Sequence, residues 1–290
     1  MKRIDEKAWA KLNISLDVMG SLPDGYHEMR MVMQSISLCD DLNLSLNDSG
    51  QIRLRTNFGF LPTDGRNIAV KAAQTFFAAA GMEGQGLDIT LKKRIPVCAG
   101  MGGGSSDAAA VLRGLNKLCG TAFSPAQLEQ LARRLGSDVP FCVRGGTQLA
   151  TGRGDDLQIL PSLPDCAIVV CKPRFAISTP ELFRHIDGRK SHIHPDTDGI
   201  VNALQGGELA EICRRMYNVF EDVLPRKYAG ISLIKSQLLD LGAMGTVMTG
   251  TGSAVYGIFS EEAAASAAHA ALSAQYRECY LARTEGPCLV

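Results

Sequence analysis

Apolar and polar positions alternate early in the chain. Ala10, Leu12, Ile14, Leu16 and Val18 fall on one face and Lys11, Asn13, Ser15 and Asp17 on the other, the period of two that a half-buried strand requires. Pro23-Asp24-Gly25 is turn chemistry, and alternation resumes at Val32/Gln34/Ile36/Leu38, Leu42/Leu44/Leu46 and Ile52/Leu54. The period changes at Ile68, Ala72, Phe76 and Ala80, which predicts a helix that Gly81 ends. Leu87, Ile89 and Leu91 give another strand, which runs through Lys92-Lys93-Arg94 into a glycine-rich loop. Beyond it, Ala108, Val111, Leu112, Leu115 and Leu118 form a helix stripe stopped at Gly120. Ser124-Pro125-Ala126-Gln127 reads as a capping box with Pro at the first helical position, opening a helix through Leu128, Leu131 and Leu135 that Gly136 closes. Ser137-Asp138-Val139-Pro140 then reads as a turn.

Pro161 and Pro164 mark a plausible boundary, which divides the 290 residues into 1–160 and 161–290. The second part restarts with a buried strand, Ala167 to Cys171, followed by mostly helical patterning from Pro180 to Leu241. Two short strands flank Gly250-Thr251-Gly252-Ser253, a helix runs from about Glu261, and Cys279 to Ala282 is a last strand. Strands then helices in each half predict two α+β domains.

Thirty Lys and Arg balance thirty Asp and Glu, which argues against a dedicated nucleic-acid binder and leaves enzymes of small metabolites in front. Nine scattered cysteines without a CxxC, several within apolar stretches (Cys98, Cys142, Cys171), read as buried free thiols. The first residues are charged and no apolar run has signal-peptide or membrane-spanning length, so a cytoplasmic protein is expected. His192 and His194, near Asp196 and Asp198, fit a solvated loop better than a metal site.

The chemistry concentrates in Gly100-Met101-Gly102-Gly103-Gly104-Ser105-Ser106-Asp107, between a predicted strand and a predicted helix. Glycines let successive backbone N–H groups converge, and the helix start adds unpaired donors and a positive dipole end. That is a cradle for phosphate, with Ser105 and Ser106 as candidate hydroxyl ligands to phosphate oxygens or Mg²⁺. Walker A fails because no Lys precedes the serines, and G-x-G-x-x-G fails both here and at Gly250-Thr251-Gly252. Neither H-R-D nor D-F-G occurs, so the chain is not a protein kinase.

Pro96-x3-Gly100-Met101-Gly102-Gly103-Gly104-Ser105-Ser106 resembles the phosphate loop of the GHMP kinases, and Met248-Thr249-Gly250-Thr251-Gly252-Ser253-Ala254 their C-terminal glycine motif. Met101 stands where Leu is common, a similar apolar side chain. Ala10-Lys11-Leu12-Asn13, Asp24-Gly25-Tyr26-His27-Glu28 and Gly136-Ser137-Asp138-Val139-Pro140-Phe141 are similar to the branch that phosphorylates the 2-hydroxyl of 4-diphosphocytidyl-2-C-methyl-D-erythritol with ATP and Mg²⁺, in the non-mevalonate route to isoprenoids.

The resemblance implies a ribosomal S5 domain 2-like N-terminal domain, a ferredoxin-like C-terminal one and a site between them. It implies that Asp138 accepts the acceptor's proton while Lys11 offsets charge on the transferred group. Pro96, Val97, Cys98, Ala99 and the loop through Ser106 are then expected on ATP, with Lys93 and Asn67 near adenine. Asn13, Tyr26, His27, Phe183, Gly250, Thr251 and Gly252 are expected on the acceptor, where an aromatic face can stack on cytosine and His or Asn can read its polar edge. Lys11, the Lys92-Lys93-Arg94 run and the loop donors should make the cleft distinctly positive. The expected partner is this small molecule, not nucleic acid or membrane, with a monomer or weak dimer. A homoserine- or mevalonate-type kinase of the same superfamily is the nearest alternative, and a nucleotide-binding regulator or RNA-associated module a more distant one.

Overall fold

The computed structural model describes residues 2–189 and 193–288, so His192 of the proposed polar loop lies outside the described residues. Among those described, seven strands form one sheet and four a second. The first sheet is built on two long antiparallel strands, β1 (Arg3–Ser21) and β2 (His27–Asn47), joined through the Pro23-Asp24-Gly25 turn. β3 (Ile52–Thr56) leads to α1 (Ile68–Ala79), and β4 (Gly86–Lys92) enters the glycine loop. α2 (Gly103–Cys119) and α3 (Pro125–Arg133) follow, α3 opening with the expected Ser124–Gln127 capping box. α4 (Val139–Arg144) precedes the hairpin β5 (Thr147–Thr151) and β6 (Asp156–Ile159).

Three of these features depart from the sequence pattern. β2 is one strand of 21 residues, not separate segments, because Met31–Gln34 pair with β5 and Asp41–Asn47 with β4. α4 occupies what reads as a turn; six residues are too few to show a helical period, and Pro140 is tolerated in a first turn. The β5–β6 hairpin has no apolar run to announce it, since it gains its order as an edge on β2.

The second half contributes β7 (Ala167–Lys172), α5 (Thr179–Asp187), α6 (Thr197–Gly206), α7 (Leu209–Arg215), β8 (Tyr217–Asn218), α8 (Gly230–Asp240), β9 (Gly245–Met248), β10 (Val255–Phe259), α9 (Glu262–Ser273) and β11 (Glu278–Arg283). β11-β7-β10-β9 form the second, wholly antiparallel sheet, while β8 returns to pair in parallel with β1 at Ser15 and Leu16. Alternation then decides packing: Val169, Cys171 and Phe259 share a core with Ile234, Leu238 and Ala268 of α8 and α9. Ile168, Val170, Tyr256 and Ile258 pack instead with Ala10, Leu12 and Ile14 of β1. This is the expected α+β architecture, and no helix among the described residues is long and apolar enough to cross a membrane.

Register shifts at Trp9/Ala10 and Asn13/Ser15 bracket the short stretch that faces the second sheet. Ala8, Leu16 and Val18, outside the shifts, belong to the larger core with α1 and α2. At Asn13/Ser15 the one extra residue is Ile14 of β1, which reverses the face taken by the side chains beyond it. At Trp9/Ala10 two residues of β2, Ser37 and Leu38, are left unpaired; Lys11 and Asn13 lie between these irregularities. Both are buried, as are Ser15 and Asp17, so the polar face of β1 is not solvated as its alternation suggests.

Arg113 of α2, only 2% exposed, locks this layer to α4. Its guanidinium donates to the carbonyls of Cys142 (2.6 Å) and Lys7 (2.7 Å) and lies 3.5 Å from the Glu6 carboxylate. Arg113→Met should therefore lower the unfolding free energy by roughly 3–5 kcal/mol, since it strands buried acceptors. A denaturant midpoint close to the parent's would contradict that role.

Candidate active site

The loop expected to hold phosphate passes from Pro96 into α2, whose N-cap is Gly102 at φ 67° with no side chain capping the first turn. Its first N–H groups are therefore open to an anion. Pro96 through Ser105 line a cavity of about 420 Å³ together with Asn67 and Lys93. Ser106 does not: it is buried, and its hydroxyl donates to the Trp9 carbonyl. Asn67 lines the cavity while capping α1, accepting from Ala69 N at 2.9 Å and donating to Pro62 O at 2.8 Å. Cys98 is exposed, not buried as its apolar neighbours suggest, because the loop holds it at φ 55°.

A second cavity of about 590 Å³ adjoins the first and shares Gly100, Gly102 and Ser105 with it. Lys11 and Asp138 lie on its wall, with Lys11 Nζ 3.6 Å from Asp138 Oδ2. Lys11 is 4% exposed, and its ammonium donates to Asn13 Oδ1 at 2.7 Å. Asp138 stands at the N-cap position of α4 yet makes no capping hydrogen bond, so its carboxylate is spare for chemistry.

Tyr26, His27 and Phe183 also line this cavity. The Phe183 ring stacks on His27 at 4.3 Å, and Arg153 lies over the Tyr26 ring at 4.3 Å. Gly250 and Thr251 also line it, with Thr251 hydroxyl-bonded to Thr179 at 2.7 Å. Gly252 does not; it packs against Met248 and Ile177. Asn13 stands behind the cavity wall, wholly buried and tied to the second glycine loop.

That loop meets the phosphate loop backbone to backbone. A Cβ on Gly100 would sit 2.0 Å from the Thr249 carbonyl oxygen, and one on Gly250 would sit 2.9 Å from the Gly100 oxygen. Asn13 N donates to Thr249 Oγ1 (3.1 Å), Thr249 Oγ1 to Gly100 O (3.2 Å), and Gly250 N to Asn13 Oδ1 (3.0 Å).

The basic run does not make the cleft positive. The Lys93 ammonium donates to Asp40 and, at 2.7 Å, to Asp107, all three buried; Arg94 pairs with Asp41, and Lys92 lines neither cavity. Burial alone would lower the Lys93 ammonium, and the two carboxylates more than reverse it. Burial pushes the Asp107 carboxyl well above the ordinary range against the pull of Lys93. Asp40 also accepts from Arg94 N and from Ile95 N (2.8 Å), which fixes the chain just before the loop. Sequence reasoning missed Asp40 and Arg153. The signals were an aspartate within the apolar pattern of β2 and an arginine between Gly152 and Gly154.

The family model for the GHMP kinases N terminal domain matches residues 67–146, and that for the GHMP kinases C terminal matches 200–278. A curated relative, the 4-diphosphocytidyl-2-C-methyl-D-erythritol kinase of Alkaliphilus metalliredigens, is 39% identical over 284 residues, 98% of this chain and 97% of its own. A crystal structure of 4-(cytidine 5'-diphospho)-2C-methyl-D-erythritol kinase is 33% identical with a TM-score of 0.83, covering 98% of this chain and 100% of that one. The homoserine kinase of Cytophaga hutchinsonii, at 20% identity and a TM-score of 0.76, shares the fold over 100% of this chain and 98% of its own.

Two glycines of the loop should respond differently to alanine. At Gly102 a Cβ would lie 2.9 Å from Lys11 Cγ at a left-handed φ, so Gly102→Ala should cost about 1–3 kcal/mol. Gly104 is helical and its Cβ would meet only Ile68 at 3.5 Å, so Gly104→Ala should be neutral or stabilise by up to about 1 kcal/mol. Paired denaturation curves check this, and equal costs would contradict it.

Proposed function

This chain belongs to the GHMP kinases, and from that premise we propose that Lys11 and Asp138 carry a phosphoryl transfer from ATP to an alcohol. The chain is an ATP-dependent kinase, and its acceptor is the 2-hydroxyl of 4-diphosphocytidyl-2-C-methyl-D-erythritol. One observation supports the site assignment above the others: the Lys11–Asp138 pair lines the cavity that also holds Tyr26, His27 and Phe183, and Lys11 packs against Gly102, which that cavity shares with the one walled by the phosphate loop.

In this reading the α2 N-terminus and loop amides hold the ATP phosphates, while the acceptor enters the larger cavity with its hydroxyl toward Asp138. The Asp138 carboxylate orients the hydroxyl and takes its proton as the new P–O bond forms and the bond from the γ-phosphorus to the bridging oxygen breaks, releasing ADP. The Lys11 ammonium, held by Asn13, offsets charge on the equatorial phosphoryl oxygens. Of the two loop serines, Ser105 would be the one to hold Mg²⁺: it lines both cavities, which supports that reading, while the Ser106 hydroxyl is engaged. Mg²⁺, when bound, would neutralise charge on the phosphate oxygens. Arg153 and the aromatic rings suit the cytidine diphosphate portion.

We also place the domain division at 160/161 and the enzyme in the cytoplasm, where its nine free thiols would stay reduced. It would act there as a monomer or weak dimer without a nucleic-acid partner.

Asp138→Asn should lower kcat by roughly 10²–10⁴ while an ATP analogue binds within about twofold of the parent affinity. Unchanged turnover would remove Asp138 from the chemical step.

A further inference from the structure

Resting on the cytidylyl acceptor assigned above, we propose that Asp187 is a positioning residue that makes the enzyme select cytosine over uracil by fixing the tautomer of His27. α5 carries Phe183 and Asp187 four residues apart, hence on one face of the helix. Both reach the same imidazole: Phe183 stacks on it at 4.3 Å with an interplanar angle of 28°, and Asp187 Oδ1 lies 2.8 Å from its Nε2. Phe183 is itself held edge-on by Phe220 at 5.0 Å, so one helical turn fixes both the plane and the rotation of the His27 ring.

An ionised carboxylate only accepts hydrogen bonds, so Nε2 of the neutral imidazole carries the proton that it donates to Asp187. Nδ1 is left as a lone-pair acceptor, and no described residue donates to it. His27 lines the acceptor cavity, so Nδ1 is the ring atom left to meet a ligand. It can take a hydrogen bond from the exocyclic amine of cytosine. Uracil presents a carbonyl oxygen at that position, and two lone pairs would then oppose each other without a proton between them. Sites that hydrogen-bond a ligand group reject its replacement because their own polar atom is stranded. Without Asp187 the imidazole could place its proton on Nδ1 and donate to the uracil carbonyl, so discrimination should relax while the transfer chemistry at Lys11 and Asp138 persists.

The test compares the full-length parent, Asp187→Ala and Asp187→Glu, using the cytidylyl alcohol and its uridylyl analogue as acceptors. In Asp187→Ala the cytidine-to-uridine ratio of kcat/KM should fall about tenfold or more, mainly through KM, with kcat for the cytidylyl alcohol within about threefold. Asp187→Glu should restore part of the ratio. Nitrogen-15 NMR of the His27 ring should show protonated Nε2 and bare Nδ1 in the parent and a mixture of tautomers in Asp187→Ala. An unchanged ratio and an unchanged nitrogen pattern in a folded Asp187→Ala variant would overturn the proposal alone. A parent enzyme that uses neither acceptor would overturn the acceptor assignment and, with it, this proposal.

Discussion

The contact between the Gly100 and Gly250 backbones is the constraint on which the rest of the site depends. It brings the phosphate loop, carried by the first sheet's side, against a turn of the second sheet at a distance no Cβ would allow. Asn13 of β1 and Thr249, directly after β9, secure that contact, and the same Asn13 carboxamide oxygen receives the Lys11 ammonium. A single buried polar junction therefore sets three things together: the loop, the Lys11 ammonium and the seam between the sheets. Its members are all hydrogen-bonded, which is the condition for a buried polar cluster to rigidify a site and not weaken it.

The two glycine motifs thus have different physical reasons. Gly102 opens α2 without a side-chain cap, which leaves the first backbone N–H groups free of side-chain partners, and it leaves room for Lys11. Gly250 serves the close approach, and Gly252 lies among Met248 and Ile177, away from the cavities. Charge follows the same economy. Lys93 is consumed by Asp40 and Asp107, so what the loop cavity offers an anion is backbone N–H groups and a helix end more than a basic run. The zero net charge of the whole chain thus has a local counterpart beside the loop.

Much of this could be read from the sequence because short-range rules govern it. The helix after the loop, the Ser124 capping box and the strands around Gly250 follow from periodicity and cap chemistry, and the glycine loop from its composition at a strand–helix junction. What was hidden depends on long-range partners. The polar face of β1 alternates like a solvated strand, but bulges and the second sheet bury Lys11, Asn13 and Asp17. α4 is too short for a period, although it carries Asp138 at its start. Lys93 reads as a cation of the cleft until Asp40, 53 residues earlier, is placed beside it. Site residues were nameable from motifs, whereas which of them face the cavities and which brace them was not.

In this kinase the phosphoryl group passes from ATP to one cytidylyl alcohol. The most direct measurement incubates the protein with Mg²⁺, ATP and, separately, 4-diphosphocytidyl-2-C-methyl-D-erythritol, homoserine or mevalonate, and follows products by phosphorus NMR. The account predicts a new phosphomonoester resonance with stoichiometric ADP for the cytidylyl alcohol alone. Phosphorylation of homoserine or mevalonate with none of the cytidylyl alcohol would contradict it.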